Sequence, residues 1–110
     1  YNGAGDVEEF KKRLLEIENY VDLPMETHYY IGQMYLNELS DYESAIRVYK
    51  YLHGLKEYSH IPNFMEGLVQ AYSRSGQVSE AVEVLENWIL SNPDDTEAKS
   101  MLKYLKEEES

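Results

Sequence analysis

Cysteine is absent from this chain of 110 residues, which excludes disulfides, thiolate metal sites and a cysteine nucleophile. No apolar run approaches the roughly 20 residues that a membrane-spanning helix requires, so no membrane insertion is expected. No basic start followed by an apolar stretch is present, so no secretory signal can be read. Positive charge is scarce: ten Lys and Arg stand against 21 Asp and Glu, a formal net charge of −11. Such a surface repels phosphate backbones and anionic bilayers, and it leaves a basic or neutral partner as the better fit. High net charge also keeps chains from aggregating, whatever they bind. Proline occurs three times, each where a helical pattern opens or has just closed. Period-two alternation of apolar and polar residues is missing throughout, so no strand is expected. The chain opens on Tyr1 rather than Met and reads as a piece of a longer protein.

What the chain does contain is a recurring stretch. Tyr72-Ser73-Arg74-Ser75-Gly76-Gln77-Val78-Ser79-Glu80-Ala81 closes one helix, turns on glycine and opens another. Residues Tyr1 to Phe10 follow the same plan around Gly5, and Tyr35 to Ala45 repeat it with one residue inserted. Tyr35 and Tyr72 lie 37 positions apart, close to the period of stacked helical hairpins. Six helices are expected. The first runs from about Asp6 to Tyr20, with Asp6 as N-cap, Glu9 as its reciprocal partner and Val7, Phe10, Leu14, Ile17 and Val21 on one face. The second covers Met25 to Glu38 and the third Asp41 to Leu55, with Ser40 and Glu43 forming a capping box between them. Ala45, Ile46, Tyr49 and Leu52 supply the third helix's buried stripe. The fourth spans Asn63 to Ser75 and stops at Gly76. Ala81, Val82, Leu85, Trp88 and Ile89 mark the fifth, which ends before Pro93. Asp94 or Asp95 caps the sixth, striped by Ala98, Met101, Leu102 and Leu105, and the acidic tail from Glu107 is expected to fray.

Residues Asn63 to Asp95, through Leu68, Tyr72, Gly76, Ala81, Leu85 and Pro93, resemble a tetratricopeptide repeat. The preceding unit matches through Ile31, Gly32, Tyr35, Ala45 and Tyr49, with the extra residue placed at Leu39-Ser40. The resemblance implies an all-α, right-handed superhelical stack of antiparallel hairpins in a single domain. Residues 1–22 would be the second half of a truncated repeat, 25–61 and 62–95 two full repeats, and 96–107 a capping helix or half-repeat.

No constellation with catalytic spacing appears. His28, His53 and His60 are scattered, no phosphate-cradling glycine loop exists, and Glu8-Glu9 and Asp94-Asp95 read as helix N-terminal charges. No metal or other cofactor is implied, and a non-enzymatic role is expected. Eleven tyrosines are the anomaly, since Tyr35, Tyr49 and Tyr72 alone are explained by repeat packing, while tyrosine is enriched at binding surfaces. By the resemblance, the first helix of each hairpin lines a concave groove. That groove would present Glu26, Tyr29, Tyr30, Gln33 and Asn37, then Asn63, Glu66, Gln70 and Arg74, then Glu97, Ser100 and Tyr104. It lacks the Lys and Arg cluster with which some relatives clamp a carboxylate, and its lining suits a basic or proline-rich peptide or protein segment. Two other roles remain open at this point. One is a peptide-substrate-binding domain of a larger enzyme, which the tyrosine-rich groove resembles in collagen prolyl hydroxylases. The other is a spacer that stacks on itself or on further repeats.

Overall fold

The computed structural model describes residues 4–19 and 23–109. Helix α1 (Ala4–Glu18) is followed by α2 (Met25–Gln33), which runs directly into a π-helical turn (Met34–Glu38). Then come α3 (Tyr42–Gly54), α4 (Pro62–Arg74), α5 (Val78–Ser91) and α6 (Thr96–Glu109), with no strand among the described residues. Each helix packs on its successor, and α2 also reaches α4, so the all-α hairpin stack expected from the sequence is what forms. The radius of gyration is 15.0 Å and the extents are 43 × 33 × 17 Å. A compact domain of this length would have a radius near 13 Å, so the molecule is an elongated slab.

Tyr49 is the centre of the core. Its ring is fully buried and lies in a slot between Gly32 of α2 and Gly67 of α4. A Cβ on Gly67 would stand 2.5 Å from Tyr49 Cε1, and one on Gly32 would stand 3.0 Å from its Cζ. Leu36, Val48, Leu52, Met65 and Leu85 are fully buried with it in the same core. The expected stripes of α3 and α5 are buried except Ile46 and Ile89, which are half-buried.

The two hairpin turns use one device in two sizes. In the second hairpin Gly76 takes a left-handed φ of 85°, and the Gln77 amide donates to the Tyr72 carbonyl at 2.8 Å. This is the bonding that closes many helices at a glycine. In the first hairpin Ser40 takes the left-handed position with φ 50°, and the Asp41 amide donates to the Tyr35 carbonyl at 2.8 Å. The inserted residue is absorbed upstream: the Leu39 amide skips to the Met34 carbonyl at 3.0 Å, one residue further back than in an α-helix. The extra residue therefore sits in the π-helical turn rather than as a longer loop at Leu39-Ser40. The Ser40–Glu43 capping box does not form, because Ser40 is committed to the left-handed turn. Asp41 caps α3 instead, its Oδ1 accepting from the Ser44 amide at 3.3 Å and its Oδ2 from the Ser44 hydroxyl at 2.7 Å.

Helix α1 also departs from expectation. It begins at Ala4, so Gly5 and Asp6 lie inside the helix and Gly5 makes no turn. Alanine's high helix propensity favours the earlier start. Ile17 is 37% exposed, while Leu14 is buried and Phe10 packs on the core. The far end of α1 is held by polar groups: Arg47 Nε and Nη2 donate to Glu18 at 3.0 and 2.7 Å, and the Tyr35 hydroxyl donates to Glu18 Oε1 at 3.2 Å. Tyr1, Tyr20, Val21 and Asp22, named above for the first repeat and the end of its helix, lie outside the described residues.

At the last joint, Asp95 rather than Asp94 is the cap. Its Oδ1 accepts from the Ala98 amide at 3.0 Å and its Oδ2 from Trp88 Nε1 at 2.8 Å, tying the end of α5 to the start of α6. The α6 helix extends to Glu109, past the point where fraying was expected.

Candidate functional site

Helices α2 and α4 are the first members of the two hairpins, α6 follows the second, and two seams run between these three helices. Along the α2–α4 seam a cleft of about 180 Å³ is lined by Met25, Glu26, Tyr29, Tyr30, Ile61, Asn63 and Phe64. Tyr29 is half-buried there. Its ring lies 6.0 Å from that of Tyr49, 5.7 Å from Phe64 and 6.3 Å from Tyr30, so it serves the core as well as the cleft wall. Tyr30, by contrast, is 63% exposed. Further along, at the end of α2 and in its π-helical turn, a polar relay crosses the same seam. Gln33 Nε2 donates to the Tyr49 hydroxyl at 2.6 Å, Asn37 Nδ2 donates to Gln33 Oε1 at 2.7 Å, and Arg74 Nη1 donates to Asn37 Oδ1 at 3.0 Å. Burial pushes the Tyr49 hydroxyl well above the usual tyrosine range, so it stays neutral and accepts from the amide.

The α4–α6 seam carries two adjoining clefts. One, of about 510 Å³, is walled by Val69, Gln70, Ser73 and Arg74 from α4 and by Ser100, Met101, Tyr104 and Leu105 from α6. The other, of about 350 Å³, is lined by Glu66, Thr96, Glu97, Ser100 and Met101. Ser100 and Met101 line both, so the clefts are continuous. N-terminal residues of α4 face N-terminal residues of α6, and C-terminal face C-terminal, so the two helices run in the same direction. The Glu66 carboxyl is pushed upward by burial first and then by the charges of Glu97 and Asp95. The Asp95 carboxyl is held below its usual range by the Ala98 amide and then by Trp88. Ser73 Oγ is buried in the cleft wall without a hydrogen-bond partner.

Glu26, Tyr29, Tyr30, Gln33, Asn37, Asn63, Glu66, Gln70, Arg74 and Tyr104 thus all lie along these two seams. The sequence reading missed Val69, Met101 and Leu105 as cleft walls. Two of them carry the period that marks core residues, and only the gap between α4 and α6 opens that stripe to solvent. Tyr42 and Tyr58 are half-buried against the core, and Tyr51 is exposed with its ring 5.5 Å from that of His28. Among the described residues no group of three or more His, Asp or Glu is placed to hold a metal ion. No described helix is long and apolar enough to cross a membrane.

A family model of the tetratricopeptide repeat matches residues 36–103, more than half of the chain. The chain belongs to the tetratricopeptide repeat family. Tetratricopeptide repeats are, in general, non-catalytic modules of protein–protein interaction, so protein partners are indicated. No curated protein and no solved structure matches the chain.

Proposed function

We propose that this tetratricopeptide repeat chain is a non-enzymatic interaction module that holds a peptide or protein segment along α2, α4 and α6. The observation that supports this reading is the pair of seams. They set an exposed tyrosine, a polar relay, an acidic end and an apolar cleft along three neighbouring helices, with Arg74 shared by the relay and the apolar cleft. Tyr30, Gln70 and Tyr104 are the contacts that a partner would meet first, because they are exposed and carry no part of the core. Glu26, Asn63, Glu66, Gln33, Asn37 and Arg74 add hydrogen-bonding and charge, and a basic or proline-rich segment suits that lining. The repeat boundaries that accompany the reading are 25–61 and 62–95, with 1–22 and 96–107 as flanking halves.

The test is an amide NMR titration with pools of basic, proline-rich, acidic and apolar peptides. Shifts should cluster on α2, α4 and α6 with the basic or proline-rich pool. Replacing Tyr30, Gln70 and Tyr104 by alanine should then weaken binding about tenfold or more, since buried tyrosine contacts dominate such surfaces. The circular dichroism spectrum should stay unchanged. Undiminished affinity in the folded triple variant would sink the placement.

A further inference from the structure

The α4–α6 seam is polarised. Glu66 and Glu97 stand at its N-terminal end, while Val69, Met101, Tyr104 and Leu105 wall the wider cleft beyond Ser100. Glu97 and Met101 are four positions apart on α6, and Glu97 and Tyr104 seven, so the acidic end and the apolar walls are separated by about 6–10 Å along the helix. Side chains at positions i and i+2 of an extended chain point to the same face and lie about 7 Å apart. Adjacent residues point to opposite faces and cannot serve both clefts together.

We propose that this seam receives an extended segment in which a lysine or arginine stands two residues from a large apolar side chain. The cation would lie between Glu66 and Glu97, and the apolar group against Val69, Met101, Tyr104 and Leu105. The inference rests on the concave-surface reading above and narrows it to one seam and one pattern. Three observations carry it: the continuity of the two clefts through Ser100 and Met101, the spacing, and charge complementarity. Two carboxylates crowd the acidic end and Asp95 adds to them, in a chain whose net charge is −11. Burial raises the Glu66 carboxyl first and repulsion from Glu97 and Asp95 adds to it, and a cation seated there relieves that repulsion. Arg74, at the opposite end of the seam, disfavours a second cation there.

Fluorescence polarisation with the whole 110-residue chain tests the pattern. The probes are labelled peptides built on Gly-Ser-Lys-Ser-Leu-Ser-Gly. Control peptides replace Lys by Gln or Glu, replace Leu by Ser, or place Lys and Leu side by side. The parent should bind about three- to tenfold tighter than the Gln peptide, as a partly screened ion pair allows. The Leu→Ser and side-by-side peptides should lose at least as much. In the Glu66→Gln/Glu97→Gln variant the parent should lose its advantage over the Gln peptide. A lysine preference that survives in that variant overturns the proposal, and so does equal binding of the side-by-side peptide. Amide shifts confined to the α2–α4 seam would overturn this inference and leave the concave-surface reading standing. Shifts on the α4–α6 seam that grow with protein concentration alone would make a second copy the occupant and overturn it too. If no peptide of this set binds while proline-rich peptides shift α2 and α4, the narrower inference fails by itself. If no pool binds anywhere, both fail.

Discussion

A methyl group placed on Gly67 has nowhere to go. It would press into the face of Tyr49, whose ring is fully buried and whose hydroxyl is fixed by Gln33. Gly67→Ala gains up to about 1 kcal/mol from helix propensity but overpacks a core ring, at about 1–3 kcal/mol. With a closest approach of 2.5 Å to ring carbon, the second effect wins. A lower urea midpoint with an unchanged slope should report a net loss of about 1–2 kcal/mol. Gly54→Ala is the control: no atom lies within 4 Å of the added carbon, so its midpoint should hold or rise. Gly32 could be marked in advance because it falls at a position of the family pattern. Gly67 could not, since its need arises only when α4 comes against a ring carried by α3.

The helix-and-turn plan was legible because each boundary carries its own chemistry: Pro62 opens α4, Gly76 closes the hairpin, and Pro93 follows α5. The first hairpin was misread because Ser40 and Asp41 are both good caps, and sequence alone does not say which one the backbone will turn at. The inserted residue decides it by moving the left-handed position onto Ser40. A serine there bears the steric cost of a left-handed backbone, about 1–2 kcal/mol, against an entropic penalty of about 0.5–1 kcal/mol for glycine. Ser40→Gly should therefore stabilise the chain by roughly 0.5–1 kcal/mol, seen as a higher denaturation midpoint. A loss of stability would show that the Ser40 side chain contributes more than its backbone costs.

At the scale of the whole molecule, partial burial and then acidic excess carry a cost at the candidate site. The folded-state pKa of Glu66 is raised, so its ionised form is less favourable in the folded chain than in the unfolded one. Its contribution is therefore favourable below the unfolded pKa and is lost as pH rises through the folded value. At neutral pH, Glu66→Gln should raise the melting temperature modestly, because the group is largely solvated. The gain should fade as pH falls to about 4, where glutamate itself is protonated. A gain that persists undiminished in acid would assign the effect to packing rather than charge. The polar members of the candidate site were readable from first-helix positions, whereas its apolar wall was not, since an apolar stripe looks the same whether a neighbour covers it or leaves it open. The π-helical turn bears on the same larger scale. The backbone between Tyr35 and Asp41 carries one residue more than that between Tyr72 and Gln77, yet both tyrosine carbonyls meet the amide just after the turn at 2.8 Å. Chain length and structural phase are thus uncoupled at that point. Any template that counts a constant number of residues per unit slips by one on crossing it, and Tyr35 aligns with Tyr72 in space only when the count is reset inside the helix rather than in the loop.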